Sequence, residues 1–153
     1  MGELSSSSNS VETLSQTLDD LTLLQVDQLD EQLNLMSQIE SNLMSGFINL
    51  AKSRYINGER TVSTAQIPGE ESDVQPSTRV VRDANNKLEI SKNEDGSDAL
   101  KWFGVLVPMC LRQSQTHFRR VLEIAVDIVN VREEAAKSLK EFYHLAEVKK
   151  SAV

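Results

Sequence analysis

The chain has 153 residues, a net charge of −7, and only 39% apolar and 5% aromatic residues, with six glycines and three prolines. That composition suits long helices better than a sheet-based fold. A single cysteine, Cys110, excludes an internal disulfide and a cysteine-based metal site, and no Asn-x-Ser/Thr sequon points to secretion.

Charge is unevenly spread. Residues 1–55 carry two Lys/Arg against eight Asp/Glu, residues 56–100 five against nine, and residues 101–153 nine against six. The basic residues of the last part are interleaved with acids rather than gathered into a patch, which argues against nucleic-acid binding. Opposite signs at the two ends predict that they lie against each other.

In chain order, the Ser-rich residues 1–10 read as a disordered N-terminus without the basic-then-apolar order of a signal peptide. Met1, Gly2 and Ser6 fit the bare N-myristoylation pattern, although Glu3 places a charge beside the acceptor. Residues 11–57 read as one coiled-coil helix, N-capped near Ser10, free of proline, with Gly46 the one glycine before the Asn57-Gly58 stop signal. With Val26, Leu33, Glu40 and Phe47 at heptad position a, position d takes Leu29, Met36, Leu43 and Leu50.

Residues 58–100 contain Pro68 and Pro76 and many polar residues, and read as a flexible acidic linker. Within it, TRVVRDANNKLEIS has the pattern of a weak hairpin, but a lone two-stranded hairpin is marginal in water, so the expectation is a loop. Residues 101–150 comprise the uncharged stretch WFGVLVP and a second coiled-coil helix. Pro108 suits that helix's first turn. Leu111, Phe118, Ala125, Leu139 and Ala146 fall at a, and Ser114, Val121, Ile128, Ala135 and Phe142 at d. The fold expected is all-α: two long amphipathic helices in an antiparallel coiled-coil hairpin, joined by a largely disordered linker. Such a hairpin buries one face of each helix, so a partner is expected.

Catalytic and metal signals are weak. His117 and His144 stand 27 residues apart, too far to share a metal without a partner's ligand. Cys110 lies at a helix start with no His or Asn arrangement marking a nucleophile, and there is no phosphate-binding loop. The expectation is a protein that is not an enzyme and holds no cofactor or metal. No apolar run approaches the ~18 residues of a membrane span.

The stretch WFGVLVP is either packing over the helices or a docking element for another protein, and both readings stand at this point. Leu50, Ala51, Lys52, Arg54 and Tyr55 at the end of the first helix, then Trp102, Phe103, Gly104, Leu106, Val107, Pro108, Leu111, Arg112, Gln115 and Phe118, resemble the V-ATPase assembly factors of the coiled-coil domain-containing protein 115 family. The resemblance does not extend to residues 1–10 or to the linker. It implies an assembly chaperone that helps build the Vo sector of the vacuolar proton-translocating ATPase, and so organelle acidification. Its expected partners are a membrane-spanning assembly co-factor and Vo subunits, with self-association through the same stripe left open. The implied location is the cytosolic face of the endoplasmic reticulum, extending to early secretory and endolysosomal membranes. On this basis Leu50, Lys52, Arg54, Tyr55, Trp102, Phe103, Leu106, Val107, Pro108, Leu111, Arg112, Gln115 and Phe118 are the candidate partner-binding residues. One alternative is a generic coiled-coil tether or scaffold without a V-ATPase role; another is a membrane-surface helix, which Glu133, Glu134, Glu141 and Glu147 among the cations of the second helix argue against, leaving Lys149 and Lys150 for contact with anionic headgroups.

Overall fold

The computed structural model describes residues 3–58, 62–69 and 72–152. Helix α1 spans Glu3–Asn57 and helix α2 spans Met109–Ala152. Between them lie a short 3-10 turn at Thr64–Gln66, strands β1 (Thr78–Arg82) and β2 (Leu88–Lys92), and a second 3-10 turn at Ala99–Phe103. α1 starts ahead of Ser10, where the cap was expected. It ends at the Asn-Gly pair, with Gly58 at φ 80°, a conformation glycine adopts at little cost. The Pro108 carbonyl accepts from Leu111 N (3.0 Å) and Arg112 N (3.2 Å), so Pro108 closes the first turn of α2 from just outside it.

The expectation of an all-α hairpin with a disordered linker is overturned. β1 and β2 form an antiparallel sheet in the register Thr78↔Lys92, Val80↔Ile90 and Arg82↔Leu88. Side chains brace the turn: Asp83 Oδ1 accepts from Asn85 N at 2.9 Å and Lys87 N at 2.7 Å, and Arg82 Nη1 donates to Asn86 O at 2.7 Å, while Asn86 takes φ 65°. Asn is among the few non-glycine residues that tolerate that region. The hairpin is also not alone. Its base is tied by Asn93 N to Ser77 O (3.0 Å), Ser97 N to Gln75 O (3.2 Å) and Asn93 Nδ2 to Pro76 O (3.0 Å). A Cβ on Gly96 would lie 2.3 Å from Ser77 Cα, so this crossing of two backbones requires glycine. An isolated two-stranded ribbon is marginal in water; here the ladder continues past the strand ends, and Thr78, Ile90 and Lys92 line a cavity with Arg119 and Leu122 of α2.

Two compact units are distinguished, one of residues 1–34 with 128–153 and one of residues 35–127. In the first, the helical segments run antiparallel: Ser138 Oγ donates to Gln28 Oε1 (3.1 Å) and Arg132 Nε to Gln32 Oε1 (3.4 Å). Leu18, Gln28, Ile128 and Ser138 are buried there, with Leu14, Leu21, Phe142 and Leu145 half-buried. In the second, Ser114 Oγ donates to Gly46 O (2.8 Å) and His117 Nδ1 lies 3.1 Å from Asn42 Oδ1, again antiparallel. Leu111, Ser114, Ile124 and Val126 are its buried α2 residues.

In both units the seam of α1 lies one residue before the expected row. Leu18, Gln25, Gln28 and Gln32 face α2 in the first unit, and Val26, Leu29 and Leu33 are 57%, 59% and 66% exposed. In the second, Ile39, Asn42, Gly46, Asn49 and Ser53 face inward while Met36 and Phe47 are exposed. On α2 the expected d row does face α1, but its companion row is His117, Ile124, Val131, Ser138 and Leu145, again one residue earlier. Gly46 shows why. A Cβ there would meet the Phe118 ring at 2.9 Å, so the small residue admits a close helix approach that Phe47 at the seam would block. Phe47 instead meets the Phe118 ring edge-on, with centroids 5.2 Å apart.

Candidate partner-binding surfaces

All thirteen candidate residues lie in the unit of residues 35–127, and the structure divides them. Leu50, Trp102, Phe103, Leu111, Gln115 and Phe118 line one cavity of about 450 Å³ together with Val74, Pro76 and Leu100. There the 3-10 turn Ala99–Phe103 packs its aromatic side chains toward α2 and Leu50, which removes apolar area from water and orders the segment. Arg54 and Phe103 also line a neighbouring cavity with Leu50, Val62 and Ile67. Val107 and Pro108 are half-buried, and Arg112 Nε reaches back to Val107 O at 3.4 Å. Lys52, Arg54 and Tyr55 are exposed, and Leu106 is 93% exposed.

WFGVLVP is therefore two things in sequence. Its aromatic half faces inward; past Gly104, at φ 102°, the chain turns and presents Val105 and Leu106 to solvent. Val105, 95% exposed, was absent from the sequence-based set. So was Asp98, which organises the segment. Its carboxylate accepts from Leu100 N (3.1 Å), capping the 3-10 turn, and from Gln115 Nε2 (2.6 Å), and it pairs with Arg119 at 3.5 Å. Burial works to raise its pKa, but the hydrogen bonds from Gln115 and Leu100 and the charges of Arg119 and Lys101 outweigh it, leaving the carboxyl below its usual value. The Asp-Ala-Leu signal of a cap was legible in the sequence; that Gln115 and Arg119 would meet it was not.

Of the residues considered for chemistry, His117 sits in the seam beside Asn42, His144 is exposed, and Cys110 is half-buried. Among the described residues no group of His, Cys, Asp or Glu is arranged to hold a metal ion, and no helix is long and apolar enough to cross a membrane. What the surface offers instead is apolar side chains without cover: the α1 row Val26, Leu29 and Leu33 in one unit, and Val105 and Leu106 with Tyr55 and Ile56 in the other.

A helix pair carrying a small hairpin and a tryptophan-bearing turn against α2 is the class these features define. Residues 59–121, which span the hairpin, that turn and the start of α2, match the family model described as Vma22/CCDC115. The chain is similar to proteins named vacuolar ATPase assembly protein VMA22. It is 30% identical to the cattle protein over 144 residues, covering 73% of this chain and 80% of that one. It is 28% identical to the mouse protein, covering 79% and 84%, and 26% identical to the human protein, covering 74% and 81%. The chain belongs to the Vma22/CCDC115 family.

Proposed function

We propose that this protein is a non-catalytic assembly factor that promotes construction of the Vo sector of the vacuolar proton-translocating ATPase, and through it the acidification of organelles. It acts with a membrane-spanning co-factor at the cytosolic face of the endoplasmic reticulum. The observation that carries this reading is the likeness to vacuolar ATPase assembly proteins, which spans most of both chains and includes the segment from the hairpin into α2.

The exposed faces support a role exercised by binding. Val26, Leu29 and Leu33 repeat at the spacing of one helix face, and an amphipathic partner helix would bury such a row. Apolar side chains in regular register on a charged helix are otherwise a standing exposure to water.

Depletion in cells tests the reading. Ratiometric pH measurement should show a raised luminal pH in acidic organelles, and blotting should show loss of mature Vo with the soluble V1 sector still made. Affinity purification from gently solubilised membranes should recover Vo subunits and a small membrane protein. Normal acidification with unchanged Vo, or recovery of trafficking and cytoskeletal proteins instead, would point to a generic tether.

A further inference from the structure

The unit of residues 35–127 ends in an apolar tip. The antiparallel pairing of Gly46 with Ser114, and the cavity shared by Leu50, Trp102, Phe103 and Leu111, bring the C-terminus of α1 and the segment before α2 to the same end. There Val105, Leu106 and Tyr55 are 95%, 93% and 91% exposed, and Ile56 and Met109 are 68% and 70% exposed. No large apolar side chain among the described residues is more exposed than these three.

Among the described residues, the exposed charges near the tip are cationic. Lys52, Arg54, Lys101 and Arg112 lie within a few residues of it, and all are exposed. The nearby carboxylate, Asp98, is already engaged by Gln115, Leu100 and Arg119. This runs against the acidic character of the chain as a whole, so the cations at this end are a local feature.

We infer that this end docks directly on a lipid bilayer whose surface carries anionic headgroups, with Val105 and Leu106 entering the interface and Lys52, Arg54, Lys101 and Arg112 meeting the phosphates. Three features favour lipid over a protein partner. The two most exposed apolar side chains, Val105 and Leu106, project on a loop and are aliphatic, whereas protein hot spots are poor in Leu and Val. The centres of protein interfaces are depleted in Lys, while two of the four cations beside these apolar residues are lysines, Lys52 and Lys101. Long cationic side chains keep their heads at headgroup level while their stems lie along apolar surface, and tyrosine has the same preference, as Tyr55 would here. Membrane binding by an unmodified segment grows with the apolar area buried and with attraction to anionic lipids, and the tip offers both. The inference does not depend on the V-ATPase reading, because it concerns the chain and lipid alone.

The test uses the purified full chain and vesicle flotation, comparing pure phosphatidylcholine with phosphatidylcholine containing phosphatidylserine. The wild type should float with the anionic vesicles, progressively less as salt is raised, and should not float with the neutral ones. The V105D/L106D double variant should lose flotation while keeping its helicity and Tm, since both side chains are solvent-exposed. The K52Q/K101Q variant should bind roughly thirtyfold more weakly, at about fivefold per cation near an anionic surface. Leu33→Asp, in the other unit, should float as the wild type does. The inference is overturned if the wild type stays with the solvent, floats equally with neutral vesicles, or floats unchanged as V105D/L106D. It is equally overturned if that double variant loses a co-purifying protein while flotation is untouched, which would assign the tip to protein recognition.

Discussion

Leu111 and Leu139 occupy the same heptad position of α2, yet Leu111 is 5% exposed and Leu139 42%. Leu50 and Leu29 make the same comparison on α1: Leu50 is half-buried and Leu29 is 59% exposed. In the unit of residues 35–127 the chain supplies its own third layer, the segment with Trp102 and Phe103, over that flank of the helices. In the unit of residues 1–34 and 128–153 the corresponding flank carries uncovered Val26, Leu29, Leu33, Leu139 and Tyr143. The difference teaches that one repeated pattern of apolar residues serves two ends. Where the chain covers it, the pattern is core; where it does not, the same pattern is exposed surface.

Truncation at the matched positions measures the comparison directly. Leu111→Ala should cost about 3 kcal/mol, the usual range for a leucine removed from a packed site, and Leu139→Ala under about 1 kcal/mol. Chemical denaturation of the two variants reads the difference, and equal losses would show that the two flanks are alike. Gly96→Ala attacks the covering layer instead. Its methyl group would press on the Ser77 backbone and open the crossing that anchors the hairpin, at about 2 kcal/mol. Limited proteolysis should then cut faster within residues 72–100, while circular dichroism shows the helices intact.

A smaller effect is expected from pH. The Asp98 carboxyl titrates in the folded chain below its ordinary value of 3.8. Its contribution to stability is therefore complete at neutral pH, declines as pH falls through that unfolded value, and is gone below the folded one. Urea midpoints from pH 6 down should show the wild type losing an advantage that Asp98→Asn never has, because the amide can still cap Leu100 but carries no charge for Arg119. The smallest change expected is a gain. Ser53 is 0% exposed and its hydroxyl has no hydrogen-bond partner among the described residues, so Ser53→Ala should raise stability by about 1 kcal/mol. A fall in Tm would mean that the hydroxyl is satisfied in solution.

Much of the secondary structure was legible from local signals. The Asn57-Gly58 stop and Pro108 before Met109 mark the end of α1 and the start of α2 where they are found, whereas α1 begins at Glu3, ahead of the Ser10 cap that local signals suggest. The hairpin was visible as alternation in TRVVR and LEISK, and its turn as Asp83 with Asn85 and Asn86. Local signals leave it a marginal two-stranded ribbon, because the placing of Thr78, Ile90 and Lys92 beside Arg119 and Leu122 of α2 and the close crossing at Gly96 are not readable from the alternation of the strands. The candidate residues were found as a block, but their inward and outward halves were not separated, since Trp102 and Leu106 look equally apolar in a sequence.

The sequence by itself determined two long helices, a non-helical middle, a chain short of apolar residues with a surplus of acid, and a motif shared with one family. Those are properties of composition and of neighbours a few residues apart. Only the tertiary structure decided which of two adjacent rows on each helix became the seam. Rows one residue apart differ by about 100° around a helix, and a row rich in Leu and Val pointed one way on α1 while a row of Gln, Asn, Gly and Ser pointed the other. The polar row won because Gly46 leaves room for Phe118, Ser114 bonds the Gly46 carbonyl, and Ser138 bonds Gln28. Each of those contacts joins residues far apart in the chain, and no periodicity read along one helix contains them.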